Sequence, residues 1–225
     1  MKSFWIFAAL AAAPLAPAAA QQSIEAPGTV VHRSAGAHFP ERVGEFRRSE
    51  IRQFDAAGDD IGATYNLIRP DGRLVLSVYI YPPRDGRPAS GESDRRRHCN
   101  REFGGVAAVI AGQHKGAERI EEGGATPVSG AEPELSRRAV YRFVAPFNGA
   151  AQEVRSEAIL YCGVGGRWLV KYRATSNFGF DAAPAIQAFI RAGPWPGRAP
   201  PPEPEDIATL APARGQDIRP RSGSV

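Results

Sequence analysis

Residues 157–175 read EAILYCGVGGRWLVKYRAT. Two apolar-rich runs flank a glycine turn, GVGG, and the first run ends in Cys162. Glycine reaches the positive-φ backbone that tight hairpin turns use, so the stretch reads as a β-hairpin. Val154, Ala158, Leu160 and Cys162 fall on one face of the first strand by period two, while Glu153, Arg155 and Glu157 mark the opposite, wet face. Working back, PFNGA contains Asn-Gly, the strongest short hairpin signal, and closes a third run at 136–145. Strands at 136–145, 152–162 and 167–175 thus form one antiparallel meander.

A second triplet lies upstream. Runs at 46–55, 61–69 and 74–81 are joined by AAGDD and PDG. Ile61, Ala63, Tyr65 and Leu67 share one face, as do Leu74, Leu76, Val78 and Ile80. The run 46–55 is less regular and reads as an edge strand with a bulge. Between the triplets, 93–112 is predicted helical, with Ser93 as N-cap and Glu92 and Asp94 at the positive end of the helix dipole. Cys99, Phe103, Val106 and Ile110 recur on one side. Gly104 and Gly105 cost the helix about 1 kcal/mol each relative to alanine, with close approach to a sheet as the expected benefit. His98 should point about 100° away from Cys99. Residues 113–134 read as loop with one short strand. A helix over 182–192 follows, with Pro184 in its first turn and Gly193-Pro194 after it. The fold class is α+β: about six antiparallel strands in two three-stranded meanders, with one long and one short helix over the apolar face.

The ends differ from this body. Lys2, the apolar run 4–15 and the small residues of APAAAQQ have the order of a signal peptide, with cleavage after Ala20. The run is too short and too broken by Ala and Pro for a membrane span. Residues 21–39 lack a sustained period and read as a flexible segment. Residues 198–225 are rich in proline and charge and read as a disordered tail. A single domain over 40–197 remains, periplasmic or secreted.

The two cysteines, Cys99 and Cys162, sit by independent periodicities on apolar faces of helix and strand. In an oxidising compartment a disulfide between them is the simplest reading, with two buried free thiols the alternative. There is no Cys-x-x-Cys, and a metal would need more ligands. His32, His38, His98 and His114 show no metal-ligand spacing, so neither metal nor cofactor is expected.

The formal net charge is +4, falling by one when Lys2 is removed, which is too small for a nucleic-acid footprint. Arg95, Arg96, Arg97 and Arg101 cluster on the first helix. They read as a solvated face or as a contact for an anionic partner. Tyr79 and Tyr81, with Ile159 and Tyr161, project opposite their strands' core residues. They form a candidate second apolar surface, for a ligand or a second copy of the chain, unless the N-terminal region or 113–134 covers it.

The order meander–helix–meander–helix, with RLVLSVYIYP and RWLVKYRATS as its strand signatures, resembles the PsbP-like α+β fold over about 40–195. That resemblance implies a binding or accessory subunit without shared catalytic residues, and it transfers no functional residue. The leading expectation is an exported, non-catalytic accessory or binding domain of the cell envelope. Two alternatives stand beside it: a small envelope hydrolase assembled from Arg, Tyr and His side chains, and a homo-oligomeric structural protein.

Overall fold

Alternating strands joined by glycine and aspartate turns fold back on themselves, and the chain is built largely this way. The computed structural model describes residues 22–24, 26–83 and 91–198. The expected signal peptide and nearly all of the expected tail lie outside the described residues. In chain order the elements are β1 (Gln22–Ser23), β2 (Val30–His32), β3 (Ala37–Phe39), β4 (Arg42–Val43), β5 (Phe46–Gln53), β6 (Ile61–Arg69) and β7 (Gly72–Tyr81). Then come α1 (Glu92–Gln113), β8 (Glu118–Gly123), a 3₁₀ turn (Pro133–Leu135), β9 (Ser136–Phe147), β10 (Ala150–Val164), β11 (Trp168–Asn177) and α2 (Ala183–Ala192).

Turn chemistry sets the pairings. Asn148 (φ 55°) and Gly149 (φ 81°) both take the positive φ that a two-residue hairpin requires, and they join β9 to β10. The Asp55 carboxylate accepts N–H groups from Gly58, Asp59 and Asp60 at 2.9, 3.0 and 3.2 Å, fixing the β5–β6 turn.

The α+β class holds, but the sheet is larger than six strands. Nine strands run β1-β5-β6-β7-β11-β10-β9-β8, with β4 also on β5, and β2–β3 form a separate ribbon. The meanders share one sheet because β7 pairs with β11, from Tyr81↔Leu169 to Leu74↔Ser176. β5 does carry a register shift, between Arg48 and Glu50, but it is covered by β1 and β4 rather than being the edge. The two-residue strands β1 and β4 are too short to show a period.

The segment expected to be flexible, 21–39, contributes β1, β2 and β3 where it is described, with Ala37 and Phe39 fully buried. His32 is a core residue. Its Nδ1 accepts from the Ala35 N–H at 3.3 Å, its Nε2 donates to Asp59 O at 3.1 Å, and Trp168 meets it edge-on.

The helices lie on opposite faces, not on one. α2 is strongly amphipathic. Its Ile186, Phe189 and Ile190 pack with Leu76, Val78, Tyr65 and Tyr172 in one core layer. Each such side chain contributes about 1.5–3 kcal/mol when fully buried. Phe189 meets Phe46 and Tyr65 edge-on at 4.9 Å each, a favoured aromatic geometry. α1 buries Cys99, Phe103 and Ile110 against Ala139, Ala158, Leu160 and Leu169. It starts one residue earlier than expected, after Gly91 and without a side-chain cap. His98, expected to face away from Cys99, is buried too. Gly104 and Gly105 are not points of close approach, since a Cβ at either would meet nothing within 4 Å.

Because layers cover both faces, the middle of β10 is buried on both sides. Glu157, read as wet, is 3% exposed. It closes a ring of four charges: Arg138 and Arg155 each bond both Glu157 and Glu121, at 2.8 to 3.3 Å. Two guanidiniums satisfy the buried carboxylate that hydrophobic neighbours could not.

Candidate functional site

α1 lies mainly over β9 and β10, reaching β11 at Leu169, so the same sheet face is open along much of β7 and β11. The step between helix and bare strands is a cleft of about 790 Å³, within the size range of small-molecule sites. Arg101, Gly105, Val109 and Gln113 recur every four residues along α1 and form its wall, with Glu102 and Val106 beside them. Tyr79, Lys171 and Arg173 form its floor, and Phe54, Asp60 and Tyr81 its rim.

Register places the floor residues. Tyr79 faces Lys171, and Lys171 faces Leu160, so all three project to the α1 side. Ser77, Arg173 and Ala158 form the next row. The Lys171 ammonium sits over the Tyr79 ring, 4.0 Å from its centre, a cation–π contact. Gly62 admits that ring: a Cβ there would lie 2.5 Å from it.

Arg173 is half-buried. Its Nε donates to Ser156 Oγ at 3.3 Å and its Nη2 reaches His114 Nε2 at 3.0 Å. A guanidinium only donates, so His114 carries its proton on Nδ1 and accepts at Nε2. Its ring stacks on Phe143 at 4.0 Å. Burial, then the Arg173 charge, holds His114 below its ordinary pKa of 6.5, which keeps it neutral. Burial likewise lowers the Arg173 pKa.

The expected cysteine pair is bonded. Cys99 and Cys162 form a disulfide with Cα atoms 5.8 Å apart, tying α1 to β10. The bond fixes the helix that walls the cleft. In the arginine cluster, Arg95 pairs with Glu132 at 2.8 Å, Arg96 with Glu92 at 2.7 Å, and Arg97 with Asp94. The cluster is therefore largely neutralised by acids of its own. Arg101 separates from it by pointing into the cleft and contacting His98 Nδ1.

The expected second apolar surface does not exist as a unit. Tyr79 and Tyr81 face the α1 side, whereas Ile159 and Tyr161 face the α2 side. The reason is register: Ile159 stands opposite Tyr172 and Val78, while Tyr79 lies one residue further along β7. Ile159 and Tyr161 are both 1% exposed. Tyr161 donates to Thr126 O at 2.8 Å and meets Trp195 edge-on, and burial raises its pKa to about 12.

Sequence reasoning missed Lys171, Arg173 and His114. A signal was present in Leu169-Val170-Lys171-Tyr172-Arg173, where two cations at i and i+2 put charge on one face of an interior strand. Among the described residues no Ser or Thr hydroxyl is hydrogen-bonded to a histidine or carboxylate, and no three His, Cys, Asp or Glu side chains are grouped to hold a metal. The arrangement has the room and the polar groups to hold a ligand. No helix among the described residues is long and apolar enough to cross a membrane. Family models, curated proteins and solved structures contain no match to this chain.

Proposed function

We propose that this is an exported, non-catalytic binding domain of the cell envelope, and that the α1–β7–β11 cleft is where it binds. The observation that carries the reading is a roomy cleft floored by Arg173, whose bonds to the Ser156 hydroxyl and to His114 hold the guanidinium in place and leave that histidine accepting from the arginine. The disulfide suits an extracytoplasmic compartment, and the leader-like segment 1–20 supplies the route. The resemblance to the PsbP-like fold points the same way, toward an accessory role.

The test has two arms. Intact mass of the exported protein is expected to show loss of 1–20. Mature protein and a Gly105→Phe variant, which fills the cleft from open space, are then used to capture partners from envelope extract. Each is run with and without 198–225. Loss of the captured species with Gly105→Phe supports the cleft. Capture unaffected by Gly105→Phe but abolished by removing the tail refutes it.

A further inference from the structure

We propose that the cleft binds an oxyanion, the carboxylate or phosphate group of a small ligand with an apolar body, on the guanidinium of Arg173. The proposal rests on the cleft being the binding site and adds the chemistry of what it takes.

Arg173 is the floor arginine of the cleft, and among the described residues no carboxylate answers its charge. On the other sheet face Arg138, Arg142 and Arg155 each hold carboxylates. Arg48 lacks a carboxylate but donates to three backbone carbonyls, those of Phe39, Ala26 and Gly28. Arg173 has neither. Its partners are the neutral Ser156 hydroxyl and neutral His114 imidazole, and among the described residues no acid lies within 4.0 Å of it. Taking a cation even partly out of water without a counter-charge is costly, and a bound anion would offset that cost.

The partners it does have look like positioning. Ser156 takes Nε and His114 takes one Nη2 proton, fixing the plane of the guanidinium from behind. Three of its five N–H groups are left unengaged, enough for a bidentate oxyanion contact. Lys171, two residues earlier on the same face, adds positive charge. The acids of the cleft are Asp55, Asp60 and Glu102. Asp55 is committed to its turn, and neither of the others forms a salt bridge with Arg173. Tyr79, Val106 and Val109 give the apolar surface for the ligand's body, and Gly105 gives it room.

The test is an NMR titration of the full mature chain, reading the arginine Nε–Hε and backbone resonances at constant ionic strength. The probes are benzoate, phenyl phosphate and, as the uncharged analogue, benzyl alcohol, with sodium chloride as control. Saturable shifts of Arg173 and the Gly105–Val109 amides with benzoate or phenyl phosphate are expected. The tighter of the two identifies the oxyanion. Arg173→Gln should weaken that binding about tenfold or more, and Lys171→Gln by a smaller factor, so the result survives if Arg173→Gln does not fold. Arg167→Gln, an exposed control, should change nothing. Anions giving only the chloride response, or binding that Arg173→Gln and Lys171→Gln leave intact, overturns the proposal. Binding of benzyl alcohol alone, blocked by Gly105→Phe, overturns the oxyanion and keeps the cleft. Binding of any probe that Gly105→Phe does not weaken overturns the cleft itself.

Discussion

Replacing Cys99 and Cys162 together by alanine removes a crosslink spanning 63 residues. The chain-entropy model assigns a loop of that size about 4 kcal/mol at 25 °C, through the unfolded chain it restricts. The folded state loses a little more. Cys99 and Cys162 are 0% and 4% exposed, and truncating buried groups leaves a small cavity costing about 1 kcal/mol. The expected loss is therefore about 4–5 kcal/mol, a large part of an ordinary domain's stability. It falls mainly on α1, which has glycines at 104, 105 and 112 and otherwise holds the sheet through Phe103 and Ile110. Urea unfolding measures the loss by extrapolation to water. The m-value should rise, because an uncrosslinked chain exposes more surface when unfolded. Wild type treated with reductant should match the alanine double variant within about 1 kcal/mol. Hydrogen exchange should speed in α1 before it does in β6, β7 or β11. A loss under about 2 kcal/mol, against the range in which native disulfides act, refutes the reasoning, as does finding two alkylatable thiols in the exported protein.

Glu157→Ala removes the buried acid of the charge ring and leaves Arg138 and Arg155 to share Glu121, and chemical denaturation should show a loss of about 1–3 kcal/mol; a loss inside measurement error would show that the charge ring carries no stability. Gly104→Ala, on an open helix surface, should raise stability by about 0.5–1 kcal/mol, and a fall in the melting temperature would mean that the helix backbone there is under constraint. His114 has a lowered pKa in the folded chain, so the unfolded chain binds more protons between the two values. Its contribution is complete above 6.5 and is lost as pH falls through the folded value. Wild type should thus lose stability on acidification more steeply than His114→Gln, and superimposable pH profiles for the two proteins refute the Arg173–His114 geometry.

The local structure was legible because it is written in short-range patterns. Alternation in 61–69 and 74–81 fixed β6 and β7, and Asn-Gly at 148–149 fixed the β9–β10 hairpin, since side-chain direction and φ are decided within a few residues. The disulfide was legible for the same reason: two periodicities each pointed a sulfur inward. The N-terminal strands were not, because β1 and β4 have two residues each, too few to show a period, and take their order from pairing with β5. Buried Glu157 was misread, since its charge is answered by Arg155 beside it and by Arg138 across the strand pair, in a layer that covers this face only in the folded chain. The cleft was half visible, in the two cations of β11, but its wall belongs to a helix stripe beside the one that packs.

By itself the sequence determined the six meander strands and both helices, most of their apolar faces, and that Cys99 and Cys162 point into one layer. Only the tertiary structure decided that β7 joins β11, that the helices take opposite faces, and that Tyr79 and Tyr161 part company. Pairing register and helix placement are long-range choices. A shift of one residue sends a side chain to the other face, and no single strand's pattern records where its neighbour begins.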